Sequence, residues 1–217
     1  MTQLAKNKEK MVESHLRRRG IRDEAVLEAM AEVPREKFIP DNMVHLAYND
    51  SPLPIGEGQT ISQPYIVALM IQAMELSAED RVLDIGTGSG YAAAIISRIV
   101  KTVYSVERYR TLAETAKERF HRLGYENIQV LYGDGTQGWP EHAPYDAAVV
   151  AAGSPDIPQP LVDQLVIGGR LVIPVGSTRQ FQELLRVRRV EESEVKEERL
   201  TSVRFVPLVG EAGWKEE

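Results

Sequence analysis

The stretch RVLDIGTGSGYAAA, Arg81 to Ala94, constrains the fold more than any other part of the chain. An apolar run ends in an acid, Asp84, and glycines follow at 86, 88 and 90 before an alanine-rich segment. Glycine lets the backbone turn sharply and approach a ligand with no Cβ in the way. A helix beginning behind such a turn offers unpaired N–H groups and the positive end of its dipole. Strand, glycine turn and helix in that order open a parallel sheet with crossover helices.

The rest of the chain continues the alternation. TVYSVE (102–107) reads as a strand and LAETAKERFHRLG (112–124) as a helix closed by Gly124. IQVLYGDG (128–135) and DAAVVAAG (146–153) read as strands, PQPLVDQL (158–165) as a short helix and GGRLVIPVG (168–176) as a strand. Two charged, alternating segments, 181–192 and 201–210, read as antiparallel edge strands, with EESEVKEER as a solvated turn between them. Upstream, residues 4–19 suit an amphipathic helix with Leu4, Met11, Val12 and Leu16 on one face, ended by Gly20. A second helix covers about 22–32, closed by Pro34, and a third starts at Pro64 and runs to about 75. Residues 45–62 read as irregular.

The expected class is therefore α/β: a doubly wound, Rossmann-like sheet, mostly parallel, with antiparallel C-terminal edge strands. Residues 1–217 are expected to form a single domain. Within it, 1–78 hold the N-terminal helices and an active-site loop, and 79–217 the Rossmann-like core.

The glycine spacing narrows the ligand. The dinucleotide pattern G-x-G-x-x-G needs glycine at 91. Here Tyr91 stands there, and the third glycine falls at 90. A bulky side chain at that point crowds a pyrophosphate, so the turn suits a ligand without one. Glu107 ends the second strand, where a carboxylate can accept both ribose hydroxyls. Asp134 ends the third, within reach of an adenine amino group. Acids at three successive strand ends line the crevice where open α/β sheets bind ligands. Each acid also has a plainer reading: Asp84 as a helix cap, Glu107 as a surface charge, Asp134 as a turn residue. Taken together they favour S-adenosylmethionine, which carries adenine, ribose and an amino acid but no phosphate. Asp84, Gly86, Thr87, Gly88, Gly90, Glu107 and Asp134 are its candidate contacts.

Composition removes several other chemistries. The 217 residues include no cysteine, which excludes thiol nucleophiles, thiolate metal sites and disulfides. His45 and His142 are isolated, with no metal-ligand spacing, so no metal is expected. The net charge of −6 weighs against a nucleic-acid partner. The N-terminus has no apolar run behind its lysines, and the apolar runs are too short to span a bilayer. A cytoplasmic monomer with no membrane partner is the expectation.

One segment fits none of this. LPIGEGQTISQPY, Leu53 to Tyr65, is rich in proline, glycine and small polar residues and lies just ahead of the glycine turn. Together with PREKFIP, VLDIGTGSGYAAA, VYSVER, GDG, PYDAAVVAAG, PQPLVDQL, GGRLVIPVG and VRFVPL it resembles the protein-L-isoaspartate O-methyltransferases, over roughly residues 33–208. The segment GQTISQP ahead of GTGSGY is the most specific part of that resemblance.

The resemblance implies a repair enzyme. Such an enzyme methylates the free carboxyl of L-isoaspartyl residues in damaged proteins and peptides, using S-adenosylmethionine. The ester then closes to a succinimide that can hydrolyse to aspartate. The family's sheet has its last two strands exchanged in order. The resemblance makes Ser62 the active-site serine and places Gln59, Thr60 and Ile61 beside the cofactor. It maps the ribose acid to Glu107, with Arg108 next to it, and the adenine contact to Asp134 and Gly135. Ile55, Gly56 and Ser62 are the candidate substrate contacts.

This role for Ser62 agrees with the chemistry of the acceptor. An α-carboxyl, with a reference pKa of about 3.3–3.7, is already ionised at neutral pH and needs no general base. It needs alignment with the methyl group, which a single hydroxyl donor can provide. The plainer alternative is that Ser62 caps the helix starting at Pro64. Two other classes share the cofactor residues. A nucleic-acid or small-molecule methyltransferase would need an acceptor clamp after the fourth strand, where this chain reads AAGSPDIP. A non-catalytic binder of S-adenosylmethionine or NAD has no use for an intact GQTIS loop.

Overall fold

The computed structural model describes residues 2–216. Helix α1 covers Gln3–Lys10, with the Thr2 hydroxyl accepting the Ala5 N–H at its start. The expected single helix over 4–19 is instead three windings in series. After α1 the coil widens over Met11–Leu16, tightens over Arg17–Arg19, and stops at Gly20, which has a left-handed φ of 101°. The wide stretch is where Met11, Val12 and Leu16 are buried, so packing there overrides uniform pitch. Helix α2, Glu24–Glu32, begins at Asp23, whose carboxylate accepts the N–H groups of Ala25 and Val26. Its inner residues, Val26, Leu27 and Met30, are buried.

Residues 45–62, expected to be irregular, contain a small hairpin. Strands β1, Leu53–Gly56, and β2, Gln59–Ile61, pair antiparallel. The two residues between them, Glu57 and Gly58, have φ of 50° and 67°, which suits a tight hairpin turn. Strands of four and three residues are too short to show a periodic pattern. Helix α3 follows at Pro64–Ala73, with proline in its first turn.

The remaining strands are β3 Arg81–Ile85, β4 Thr102–Glu107, β5 Ile128–Tyr132, β6 Tyr145–Val150, β7 Leu165–Val175, β8 Gln182–Glu191 and β9 Glu194–Val203. The helices between them are α4 Tyr91–Ile96, α5 Arg110–Leu123 and α6 Gln159–Asp163. The seven strands form one sheet in the order β5-β4-β3-β6-β7-β8-β9. The first five in that order are parallel, and β8 and β9 are each antiparallel to the strand before them. The chain builds outward from β3 through β5, then crosses to β3's other side to begin β6. This switch point lies between the carboxyl ends of β3 and β6, the place where open sheets leave a crevice.

Alternate residues along each strand face opposite layers. Val82, Val103, Ala147 and Val172 pack with α2, α3, α4 and the N-terminal windings. Their neighbours Leu83, Tyr104, Ala148 and Leu171 pack with α6 and the segment around Leu208. Both faces are therefore covered, as a parallel sheet requires.

The charged segment EESEVKEER is not a turn. Only Glu192 and Ser193 lie between β8 and β9, and EVKEER is paired strand. β9 is the exposed sheet edge, and its charges suit that position: the Arg186 guanidinium donates to Glu198 across the pair. After Val203 the chain leaves the sheet edge and returns to the crevice, where Gly153 pairs with Pro207. Among the described residues, no helix is long and apolar enough to cross a membrane.

Candidate active site

A cleft of about 900 Å³, open mouth included, lies at the carboxyl ends of β3, β4 and β6. The glycine turn after β3 forms its floor through Gly86, Thr87, Gly88 and Ser89. The turn is anchored to the neighbouring strand, since the Gly86 N–H donates to the Val106 carbonyl at 2.8 Å. Gly90 stands behind the wall. Its φ is +88°, and a Cβ there would lie 2.6 Å from Cζ of Phe120. No other residue type allows α4 to start this close to α5. Tyr91, the first residue of α4, is fully buried and packs its ring 5.6 Å from that of Phe38.

Glu107 lines the cleft and is only 4% exposed. Its Oε2 accepts the Gly88 N–H at 2.8 Å and its Oε1 the Tyr109 N–H at 2.9 Å. These two bonds fix the carboxylate and leave lone pairs on both oxygens for a diol. Asp84 does not line the cleft. It lies buried beneath the turn, where its Oδ2 accepts from the Ser105 hydroxyl at 2.6 Å. Ser105 is in turn 2.6 Å from the Thr87 hydroxyl. Burial pushes the Asp84 carboxyl up to about 6; the Ser105 hydrogen bond opposes this and the Glu107 charge adds to it.

The Asp134 carboxylate is held by the chain on both oxygens. Its Oδ1 accepts from the Thr136 N–H and hydroxyl, and its Oδ2 accepts the Glu211 N–H at 2.8 Å. It lines a separate, shallower recess with Arg108 and Glu216, which form an ion pair. Gly135 does line the main cleft.

The other rim is the GQTIS segment. Gln59, Thr60, Ile61 and Ser62 all line the cleft, opposite Glu107 and Arg108. The helix-cap reading of Ser62 does not hold. The Tyr65 N–H at the start of α3 is taken by Asp50 at 2.9 Å, and the same carboxylate holds the Gln63 side chain at 2.7 Å. Among the described residues, none hydrogen-bonds the Ser62 hydroxyl, while its backbone carbonyl accepts from Arg35. Ile55 and Gly56 lie outside the cleft. They border a groove on the far side of the hairpin with Phe38, Thr111 and Arg119, and this groove shares Gly88 and Ser89 with the cleft.

Several wall residues were not marked as site residues by the sequence. Val206–Val209 return from the sheet edge to roof the cleft, beside Ala151 and Ala152. Trp214 locks that return, its indole donating to the Gly153 carbonyl at 3.0 Å. Asp50 and Arg35 act from a distance on the GQTIS segment.

The donor set defines what the cleft can hold. Arg108 is the only basic residue on its wall among the described residues, and it is paired. A carboxylate faces inward and a second lies behind the turn. This suits a cationic nucleoside with a free ribose and no phosphate. No group of three His, Asp or Glu side chains that could hold a metal occurs among the described residues. The sheet, the glycine turn and this charge pattern together define a class, the S-adenosylmethionine-dependent methyltransferases.

Comparison with known proteins narrows the class. The sequence profile of the family described as Protein-L-isoaspartate(D-aspartate) O-methyltransferase matches residues 6–213. The chain is 64% identical to Protein-L-isoaspartate O-methyltransferase 1 of Geotalea uraniireducens, covering 97% of this chain and 96% of that one. It is 63% identical to Protein-L-isoaspartate O-methyltransferase 2 of Pelobacter propionicus, over 95% of this chain and 92% of that protein. A solved protein-L-isoaspartate O-methyltransferase superposes with a TM-score of 0.84 at 34% identity, covering 95% of this chain and 67% of the other. A Plasmodium falciparum structure, described as a putative protein-L-isoaspartate O-methyltransferase in complex with S-adenosyl-L-homocysteine, superposes at 0.79 with 28% identity, covering 93% of this chain and 98% of that one. The chain belongs to the protein-L-isoaspartate(D-aspartate) O-methyltransferase family.

Proposed function

We infer that the chain transfers a methyl group from S-adenosylmethionine to the free carboxylate of L-isoaspartyl residues in damaged proteins and peptides. The observation that carries this reading is the Ser62 hydroxyl. It lies on the wall of the cleft that Glu107 and the glycine turn prepare for the cofactor, with no hydrogen bond to any described residue.

Bound in the cleft, S-adenosylmethionine supplies a methyl group on a positively charged sulfur. Glu107 holds the ribose hydroxyls. Gly86, Thr87 and Gly88 cradle the amino-acid end, with Asp84 behind them as a buried acid. Gln59, Thr60, Ile61 and Arg108 border the cofactor, and Gly135 bounds its adenine end. Asp134 supports that end by holding Thr136 and Glu211 in place. Ser62 donates a hydrogen bond to one oxygen of the incoming carboxylate and turns the other towards the methyl group. The carboxylate arrives ionised, so the chain takes no proton from it. Among the described residues no lysine lines the cleft, and the one arginine there, Arg108, is paired with Glu216, so the acceptor's charge is not drawn to a free cation. The walls exclude water, which favours a reaction that neutralises charge. Ile55 and Gly56 lie along the groove that receives the substrate chain.

Residues 1–78 and 79–217 act as one unit, because the cleft takes walls from both. The protein works in the cytoplasm as a monomer, without metal and without a nucleic-acid partner. The test is incubation with labelled S-adenosylmethionine and two peptides that differ only in isoaspartyl or aspartyl linkage. A base-labile methyl ester on the isoaspartyl peptide alone is expected. Equal labelling of both peptides, or of neither, overturns the reading.

A further inference from the structure

We propose that Arg35 is a positioning residue for methyl transfer, one that sets the direction of the Ser62 hydroxyl from behind the acceptor loop. This rests on the role of Ser62 given above.

Arg35 opens a tight turn, Arg35–Lys37, and its side chain is completely buried. Its Nε donates to the Ala47 carbonyl at 2.8 Å and its Nη2 to the Ser62 carbonyl at 2.9 Å. The guanidinium carbon stands 4.7 Å from the centre of the Tyr91 ring. Nη1 is buried without a hydrogen-bond partner, and among the described residues no carboxylate forms an ion pair with Arg35. The Tyr91 ring and the Asp50 carboxylate offset its charge without a direct ion pair, burial of the cation is still costly, and apolar replacements of buried charges often stabilise a protein. The contacts of Arg35 account for its presence better than stability does.

Those contacts join three parts of the site. Ala47 belongs to the segment leading into the hairpin. Ser62 is the acceptor-side residue. Tyr91 is the first residue behind the glycine turn and lines the cleft. One planar group therefore ties the acceptor rim to the cofactor floor. Arginine suits this because its donors are fixed in a plane that can stack on a ring, which a lysine ammonium cannot reproduce.

Ser62 is held on both sides. Ile61 before it pairs with Leu53 in the hairpin. After it, Arg35 fixes the carbonyl of the Ser62–Gln63 peptide, while Asp50 holds Gln63 and Tyr65. With both flanking peptides fixed, the Cα–Cβ bond of Ser62 has one direction. Alignment of this kind is where a displacement of about 1 Å costs on the order of 100-fold in rate.

The test uses the full-length protein in single-turnover methylation of an isoaspartyl peptide, with S-adenosylmethionine affinity measured separately by calorimetry. Variants are Arg35→Lys, Arg35→Gln, Ser62→Ala and the two doubles. Rates are read at a temperature where circular dichroism shows each variant folded. Arg35→Lys keeps the charge and most of the volume, so it carries the test if Arg35→Gln does not fold. Each Arg35 variant is expected to slow transfer by roughly 10- to 100-fold, with cofactor affinity nearly unchanged. In the Ser62→Ala background, the same change should cost no more than about 3-fold, because residues acting through one contact are not additive. A purely structural role does not produce that coupling. Full-rate transfer in Arg35→Lys overturns the proposal, as do multiplicative losses in the doubles or cofactor affinity lost in step with rate. Wild-type rates in Ser62→Ala sink the reading of Ser62 itself. A slow Ser62→Ala with independent Arg35 effects sinks this proposal alone.

Discussion

Replacing Asp84 by asparagine should change how the stability of the ligand-free protein depends on pH. The carboxyl is 1% exposed at the end of β3, with Oδ1 unpartnered and Oδ2 accepting from Ser105. Burial is the main reason its pKa rises from the ordinary 3.8 to about 6; the Ser105 bond pulls it back and the Glu107 charge pushes it further. Between those values the unfolded chain has released a proton that the folded chain keeps. Stability therefore falls as pH rises through this window, and Asp84 adds no slope below about 4 or above about 6. The gap is roughly two pH units, and at about 1.36 kcal/mol per unit it amounts to about 3 kcal/mol. Asparagine cannot ionise. The unfolding free energy of Asp84→Asn minus that of the wild type should thus rise by about 3 kcal/mol between pH 4 and pH 7. Any constant packing cost of the substitution cancels in that comparison, as do titrating groups not coupled to Asp84. Urea unfolding of both proteins at the two pH values gives the number. A difference that stays flat would show that Asp84 ionises at its ordinary pKa, and the desolvation argument would fail.

Two further substitutions probe the cofactor floor. Glu107→Ala removes a charged acceptor for the ribose, and charge-assisted bonds contribute about 1.5–3 kcal/mol. Calorimetry should show S-adenosylmethionine binding weakened by roughly 10- to 100-fold; unchanged affinity would refute the ribose role. Gly90→Ala forces a side chain into a φ of +88° and against Phe120. Backbone strain and overpacking together should cost about 2–4 kcal/mol in unfolding free energy, read from denaturant midpoints. A loss under about 0.5 kcal/mol would mean that α4 and α5 can separate freely there.

The legible parts of the molecule were those that local chemistry dictates. Glycines at 86, 88 and 90 and an acid at each strand end can be read because parallel sheets put strand ends in one crevice. Of the residues so marked, Gly86, Thr87, Gly88, Glu107, Arg108, Gly135 and 59–62 border the cleft, whereas Asp84, Gly90, Asp134, Ile55 and Gly56 stand behind or beside it. What was not legible depends on contacts far apart in sequence. Nothing near Tyr65 indicates that Asp50, 15 residues earlier, takes its N–H. Nothing in PREKFIP says that its arginine reaches the Ser62 carbonyl. EVKEER has the composition of a turn, and only its pairing with β8 reveals a strand. The motif VRFVPL gives no sign that the tail from Val206 to Trp214 returns to the crevice, because it is tied there by distant partners, the Gly153 carbonyl and the Asp134 carboxylate.

The route of that tail bears on how the protein is made. Strands β3 to β5 and then β6 to β9 are each laid beside one already present, so the sheet can widen in the order in which a ribosome delivers it. The exception is the stretch after Val203, which is synthesised late yet belongs to the centre, roofing the cleft at 206–209. A nascent chain can thus own a finished floor and acceptor rim while still lacking a ceiling. The cleft is therefore closed by chain that follows the whole sheet in sequence, so its shape depends on the completed edge strands as well as on the glycine turn.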